Sequence, residues 1–264
     1  MIVCRSSAEV EKLRRVNRLV AQVLSELRRM AASGVTTEEI DREAERQVRA
    51  AGAVPAFKGY HGYPATVCAS VNEQVVHGIP SVRPLVEGDI LSIDMGAQLE
   101  GYFGDCAVTV PIGRVSPEAA RLLRVTEDAL FRGIDVVRPG ARVSDIGGAV
   151  QGYVEANGFS VVREFVGHGI GTSLHEEPQI ANYGPAGRGP RLAEGMVLAI
   201  EPMVNAGKAA VKVLADGWTA VTRDGSLSAH FEHTVVVTST GCDILTLLAG
   251  ETRTAGQALA MGDR

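Results

Sequence analysis

Five side chains in this 264-residue chain have the types and settings to do chemistry together: Asp94, Asp105, His168, Glu201 and Glu232. The two aspartates lie in Ile90 to Val110, ILSIDMGAQLEGYFGDCAVTV, where apolar residues alternate on both sides of Gly101 and predict a β-hairpin. With the turn at Leu99-Glu100, Asp94 stands directly opposite Asp105 on one face of the sheet. Two adjacent carboxylates destabilise a hairpin that has no cation. Two readings follow: a divalent metal site, or one aspartate in the turn and the other solvated. Glu201 in MVLAIEP and Glu232 in HFEHTVVV sit in strands that are apolar on both sides, where a carboxylate needs a partner. Arginine is the ordinary partner, yet Lys and Arg are sparse there. His168, between Gly167 and Gly169, can approach a centre closely, although alone such a histidine is more often a loop residue. Four negative charges balance two divalent cations. An oxygen-rich set with one imidazole favours Mn, Fe or Co, with Zn or Ni able to compete in vitro. Two such ions sharing a water lower its pKa and hold a carbonyl opposite, so residue types lead to metal-assisted hydrolysis, with no substrate specified.

The elements that must position these groups are legible in outline. Helical periodicity runs from about Ala8 to Met30 (Val10, Leu13, Val16, Val20) and stops at Ser33-Gly34. A capping box, Thr36 to Glu39, opens a second helix to about Ala51. Phe57 to Pro80 reads as a Gly-, Pro- and aromatic-rich loop, then a strand over Val67 to Val71, then another loop. Ser116-Pro117 starts a third helix to about Val137, and a fourth spans Ser144 to Ala156, stopped by Asn157-Gly158. Gly34 to Ile40 and Gly140 to Ile146 align without gaps at a separation of 106 residues, carrying Ile40, Ala44 and Val48 onto Ile146, Val150 and Val154. Such an echo suggests a duplicated unit with a site at the seam, although any two amphipathic helices share a period. Strands are expected over Gly195 to Val204, Ala209 to Val213, Trp218 to Val221 and Ser228 to Thr238, with turns at Asp216-Gly217 and Asp224-Gly225. Residues 250–264 are polar and small, as in a frayed tail.

Composition excludes some functions. The length suits one large domain or two fused halves. A net charge of -5 and the lack of a basic block argue against nucleic acid as a partner. No apolar run is long enough to span a bilayer, and MIVCRSSAEVEKLRR lacks a signal-peptide core. Cys4, Cys68, Cys106 and Cys242 have no CxxC spacing and suit free thiols in a reducing cytoplasm. Cys68 and Cys106 read as packed small hydrophobes.

Asp94 and Asp105, then GHGIGTSLHEEP, AIEPM and DGWTAVTRDGSLSAHFEHTVVVT, over roughly residues 6 to 240, resemble the short bacterial type I methionine aminopeptidases. The resemblance implies an α+β pita-bread (creatinase/aminopeptidase) fold of two pseudo-symmetric halves, about 6–112 and 113–240, in a single catalytic domain. It implies two divalent ions: Asp94 on one, His168 and Glu201 on the other, Asp105 and Glu232 bridging both. It implies removal of the initiator methionine from nascent chains whose second residue is small. His77 in VVHGIP matches the residue beside the scissile amide, and His175 in LHEEP the one that donates to its carbonyl oxygen. Glu201 is the expected proton shuttle. Tyr60, Tyr63, Cys68 and Trp218, with His77, resemble the methionine pocket, where aromatic edges suit a thioether. Phe57 and Leu174 stand where the enteric bacterial pattern has Cys and Phe, which should reshape the pocket wall and leave the chemistry intact. His61 and His233 are expected to be structural; His230 and Phe231 receive no role.

The expected setting is a cytoplasmic monomer that meets nascent N-termini, with transient ribosome proximity and no membrane contact; the resemblance gives no hint of a built-in ribosome-binding module. Three rival readings are a proline-specific peptidase of the prolidase or aminopeptidase P group, a type II methionine enzyme, and an inactive pita-bread scaffold. The first carries a large extra N-terminal domain, the second an inserted helical segment for which Ile170 to Glu232 has no room, and the third predicts broken ligand positions.

Overall fold

The computed structural model describes residues 1–248; the tail expected over residues 250–264 lies outside the described residues. The chain runs α1 (Ser7–Met30), α2 (Thr37–Ala50), β1 (Val54–Pro55), β2 (Val67–Val71), β3 (Gln74–Val76), β4 (Ile90–Leu99) and β5 (Tyr102–Pro111). It continues through α3 (Pro117–Asp135), α4 (Val143–Ala156), β6 (Ser160–Val161), β7 (Gly167–Gly169), β8 (Glu176–Ile180) and β9 (Val197–Ile200). It closes with β10 (Met203–Asn205), β11 (Val211–Val213), β12 (Ala220–Thr222), β13 (Ser228–His230), β14 (His233–Val237) and β15 (Cys242–Ile244).

The helices begin where their caps dictate. Ser6 and Glu9 form a capping box at α1, Thr36 and Glu39 form the expected one at α2, and the Ser116 hydroxyl accepts from Ala119 N–H at α3. The apolar stripes of α1 and α2 pack on β2, β4 and β5 in one core, which includes Val16, Val20, Ile40, Ala44, Val48 and Ile93. The stripes of α3 and α4 pack on the second-half strands in another, which includes Leu122, Leu130, Ile146, Val150, Val154 and Ile200. All six echoed positions are fully buried, and the backbone repeats with them. Gly34 N–H donates to Leu85 O while Leu85 N–H donates to Val35 O; Gly140 N–H donates to Leu192 O while Leu192 N–H donates to Ala141 O. This is an α+β fold of two pseudo-symmetric halves with antiparallel sheets backed by helices.

The structure corrects the hairpin register. The turn is Glu100-Gly101, with both residues at positive φ (52° and 82°), as a two-residue turn matched to strand twist requires. Asp94 therefore lies opposite Ala107, and Asp105 opposite Gly96. The turn moves by one residue, so the pairing moves by two and the side-chain faces are preserved. Asp94 and Asp105 remain diagonal neighbours on one face.

A second correction concerns the two glutamates. The expected strand Gly195 to Val204 breaks into β9 and β10 at Glu201-Pro202, and Ser228 to Thr238 breaks into β13 and β14 at Phe231-Glu232. β9 and β14 pair in a five-stranded sheet ordered β15-β14-β9-β7-β8, whereas β10 and β13 pair in a three-stranded sheet with β6. Both chain segments thus cross from one sheet to another at their carboxylates. Pro202 has no N–H to give a ladder, which suits a crossing. The expected loop after β2 also contains β3, an edge partner of β12.

Ile146 is fully buried in the second core, so Ile146→Ala is expected to cost about 2–5 kcal/mol of stability through lost transfer energy and a residual cavity. Chemical denaturation of the two proteins measures this; a loss below about 1 kcal/mol would contradict the packing described.

Candidate active site

The five sequence-predicted side chains converge at the floor of a cleft of about 300 Å³. Asp94 comes from β4 and Asp105 from β5; His168 comes from the middle of β7; Glu201 and Glu232 come from the two sheet crossings. The ligand atoms of Asp105, His168 and Glu232 all lie within 4.8 Å of one another. His168 Nε2 is 3.4 Å from Glu201 Oε1 and 4.0 Å from Asp105 Oδ2. One backbone and one side-chain hydrogen bond lock the arrangement across the seam: Glu232 N–H donates to Ala107 O, and Thr234 Oγ1 donates to Asp105 O at 2.8 Å. The glycines beside His168 are required by close approach. A Cβ at Gly167 would overlap Ala199 O, and one at Gly169 would overlap Glu177 O.

Burial governs the electrostatics. It pushes the Asp94 carboxyl up to about 7, against the opposing pull of His230, and pushes Glu201 up to about 8. Asp105 and Glu232 go well above the ordinary carboxylate range, first through burial and then through neighbouring carboxylates. His168 is pushed down to about 3 by burial, so its imidazole is neutral and its contacts with Glu201 and Asp105 are not ion pairs. Its Nδ1 lies 2.9 Å from Gly169 O. An N–H there fixes the tautomer and turns the bare Nε2 lone pair toward the carboxylates. Asp94 Oδ1, Asp105 Oδ1 and Glu232 Oε1 are buried without a hydrogen-bond partner. Acceptors facing acceptors in a dry site are costly unless a cation or protons stand between them. The donor set therefore fits a divalent metal of the oxygen-preferring kind.

Around this floor the cleft is apolar and aromatic. Phe57, Tyr63, Cys68 and Leu174 are buried in one cluster, with Tyr60 and Trp218 packed against it. Tyr63 and Trp218 meet edge to face at 5.2 Å between centroids. Asp216 holds Trp218 in place by accepting its N–H, in the turn expected at Asp216-Gly217. His77, at φ 60°, presents its ring to Phe165 and Trp218, and burial lowers its pKa to about 4. His175 is exposed at the mouth, with Nδ1 2.7 Å from the Tyr60 hydroxyl and its ring 4.3 Å from that of His168. Burial pushes the Cys68 thiol well up, which leaves it a neutral packing group. Cys106 is also buried, as expected for a small hydrophobe. His61 is exposed against Tyr60 at the cleft, and His233 Nδ1 lies 2.8 Å from Thr246 Oγ1.

Sequence reasoning left several site residues without a role. Phe165, Val166, Val76 and Met203 line the cleft; their apolar types carry no signal beyond packing. His230 is buried, with Nε2 3.6 Å from Glu201 Oε2. Its position two residues before Glu232 was the available hint, and its contact with the other glutamate was not.

Such a centre defines a metal-dependent hydrolase. The model of metallopeptidase family M24 matches residues 11–239. Methionine aminopeptidase 1 of Bacillus subtilis is 54% identical over 246 residues, covering 93% of this chain and 99% of its own. The crystal structure of methionine aminopeptidase from Rickettsia prowazekii has a TM-score of 0.92 at 43% identity, covering 94% and 100% of the two chains. The prolidase from Pyrococcus furiosus shares the fold alone, with a TM-score of 0.75 at 20% identity over 93% of this chain and 66% of its own. The chain belongs to metallopeptidase family M24, and within it to the methionine aminopeptidases. It is a divalent-metal-dependent hydrolase. Among the described residues, no helix is long and apolar enough to cross a membrane.

Unfolded carboxylates lose their protons near pH 4 (about), whereas the metal-free folded chain holds those of Asp94 to about 7 and Glu201 to about 8. Between these values the unfolded state binds fewer protons, so stability of the metal-free protein is expected to fall as pH rises from about 5 to 8. Added Mn²⁺ should raise the thermal midpoint more at about pH 8 than at about pH 5.5, because binding displaces those protons. Thermal scans with and without chelator measure this; a metal-free midpoint that rises over the same interval would contradict the protonated cluster.

Proposed function

We propose that this chain is a methionyl aminopeptidase that removes the initiator methionine from nascent polypeptides whose second residue is small and uncharged. The observation that carries the reading is the union, in one cleft, of a buried four-carboxylate, one-imidazole floor with an apolar, aromatic-edged pocket. Asp94 would hold one divalent ion, His168 and Glu201 the other, and Asp105 and Glu232 both. Mn, Fe or Co suits this donor set, with Zn or Ni competing in vitro. Bound there, the ions would supply Lewis acidity that polarises the scissile carbonyl and acidifies water.

The chain's own groups do the rest. Tyr60, Tyr63, Cys68, Phe57, Leu174 and Trp218 enclose the methionine side chain, and His77 stands beside the scissile amide. With the Tyr60 hydroxyl donating to Nδ1, neutral His175 keeps its proton on Nε2 and donates to the carbonyl oxygen as negative charge grows there. Glu201 takes a proton from the attacking water and passes it to the leaving amine. The partners on this reading are nascent-chain N-termini met in transient proximity to the ribosome, with no nucleic-acid or membrane contact. The working unit is a cytoplasmic monomer with one catalytic domain of halves about 6–112 and 113–240. An Xaa-Pro peptidase reading has only fold-level likeness behind it.

With Mn, Fe or Co, the protein is expected to release methionine from Met-Ala and Met-Gly peptides and to leave Met-Lys intact; equal cleavage of Xaa-Pro dipeptides would favour the prolidase reading. His175→Ala should lower kcat about 10²–10³-fold at unchanged metal content, measured by steady-state kinetics beside metal analysis. Loss of activity and metal together would contradict the oxyanion role.

A further inference from the structure

The 172–175 loop, which carries Leu174 and His175, is tied down from a distant part of the chain. One oxygen of Glu176, Oε1, accepts from Thr172 N–H at 2.9 Å, Ser173 N–H at 3.0 Å and Thr172 Oγ1 at 3.2 Å, so this carboxylate gathers the loop around itself. The other, Oε2, receives the Arg5 guanidinium. The Arg5 side chain is 5% exposed and that of Glu176 14%. Charge-assisted pairs shielded in this way resist competition from water.

The segment before α1 is fitted to this task on both its backbone and its side chain. Arg5 N–H donates to Gly195 O at 2.8 Å, and a Cβ at Gly195 would meet Arg5 O. A Cβ at Gly171 would overlap the guanidinium itself. Gly171 O in turn accepts from Phe103 N–H at 2.8 Å, in the strand that carries Asp105. Gly195 thus makes room for the Arg5 backbone and Gly171 for its guanidinium, which ends on the carboxylate that organises the loop.

We propose that Arg5 is a positioning residue for His175: through Glu176 it fixes the loop so that the His175 imidazole keeps its place against Tyr60 and over the metal-binding floor. The inference rests on the role given to His175 above. Arg5 is not among the residues lining the cleft, so its effect on turnover passes through His175.

A double-mutant cycle tests this on the full-length, metal-loaded protein, with kcat and KM for a Met-Ala peptide as readouts and the thermal midpoint as a folding control. Arg5→Ala should lower kcat about ten- to a hundredfold, since small misplacements of a catalytic group carry losses of that order. KM should change less than kcat. Arg5→Lys, which keeps a cation within reach of Glu176, should recover most of the loss. In a His175→Ala background, Arg5→Ala should lower kcat by about twofold at most, because the interactions act as one unit. If Arg5→Ala does not fold, Glu176→Gln, which keeps an acceptor for the loop amides and removes the charge facing Arg5, is read in the same cycle. Equal losses in both backgrounds, or a kcat for Arg5→Ala within about twofold of the parent, would overturn the proposal. An unchanged kcat in His175→Ala alone would remove the role given to His175 and the inference with it, a failure read from a separate variant.

Discussion

Four carboxylates buried within reach of one another are the constraint on which the rest of this structure depends. Nothing in folding favours that arrangement: each acid loses hydration, and each ionised neighbour raises the cost of the next. Among the described residues lining the cleft none is Lys or Arg, and the His168 imidazole is held neutral with its lone pair inward. The metal-free site can keep its acids only by leaving them protonated, which is what their raised pKa values express. Divalent metal would remove the conflict by taking the place of several protons, and the fold brings the acids together ahead of it.

The architecture delivers such a cluster by using sheets from both halves. Glu87-Gly88-Asp89-Ile90-Leu91-Ser92-Ile93-Asp94 and Glu194-Gly195-Met196-Val197-Leu198-Ala199-Ile200-Glu201 align at a separation of 107 residues, so Asp94 and Glu201 occupy corresponding ends of corresponding segments. In the first half, the strand continues past Asp94 into the hairpin and its partner brings Asp105 back on the same face. In the second half, the strand stops at Glu201-Pro202 and the chain leaves for another sheet; the return crossing brings Glu232 beside it. A continuous strand would alternate its side chains between faces. A crossing frees the glutamates from that alternation and lets both point into the seam.

What the sequence made legible was whatever depends on neighbours close along the chain. Caps at Ser116 and Thr36, apolar stripes through Ile40 and Ile146, and the stop at Asn157-Gly158 are local devices, and they lie where the periodicity put them. The four acidic candidates were also readable, because an acid in an apolar run is conspicuous wherever it occurs; His168 was marked only by its flanking glycines and by the resemblance. The hairpin register was not, since it turned on Glu100 accepting a left-handed backbone, which nothing in the residue type demands. The sheet crossings were missed because Pro202 is the one breaker at the first and no Gly or Pro marks Phe231-Glu232, so both stretches read as continuous strands. His230 against Glu201 and Arg5 against Glu176 are contacts between residues far apart in sequence, and pattern alone carries no information about them.

The apolar pocket and the charged floor share one strand pair, which on the proposed function links side-chain fit to the chemistry. Cys68 on β2 pairs directly with Asp94 on β4, so the pocket wall stands one strand spacing, about 4.8 Å, from an acid of the floor. Phe57 lies over Gly96, where a Cβ would come within 2.9 Å of its ring, and Gly96 is the residue opposite Asp105. On the proposed function, a methionine side chain held between Phe57, Cys68 and Tyr63 would have its backbone delivered to a fixed height above the acids. On the same reading, a longer or branched side chain would lift the amide away from His175 and Glu201. A shorter one would leave the aromatic edges unfilled and contribute less binding to hold the carbonyl in place. On that reading selectivity and chemistry are linked by strand geometry, and a change at Phe57 or Leu174 would alter the shape of the pocket.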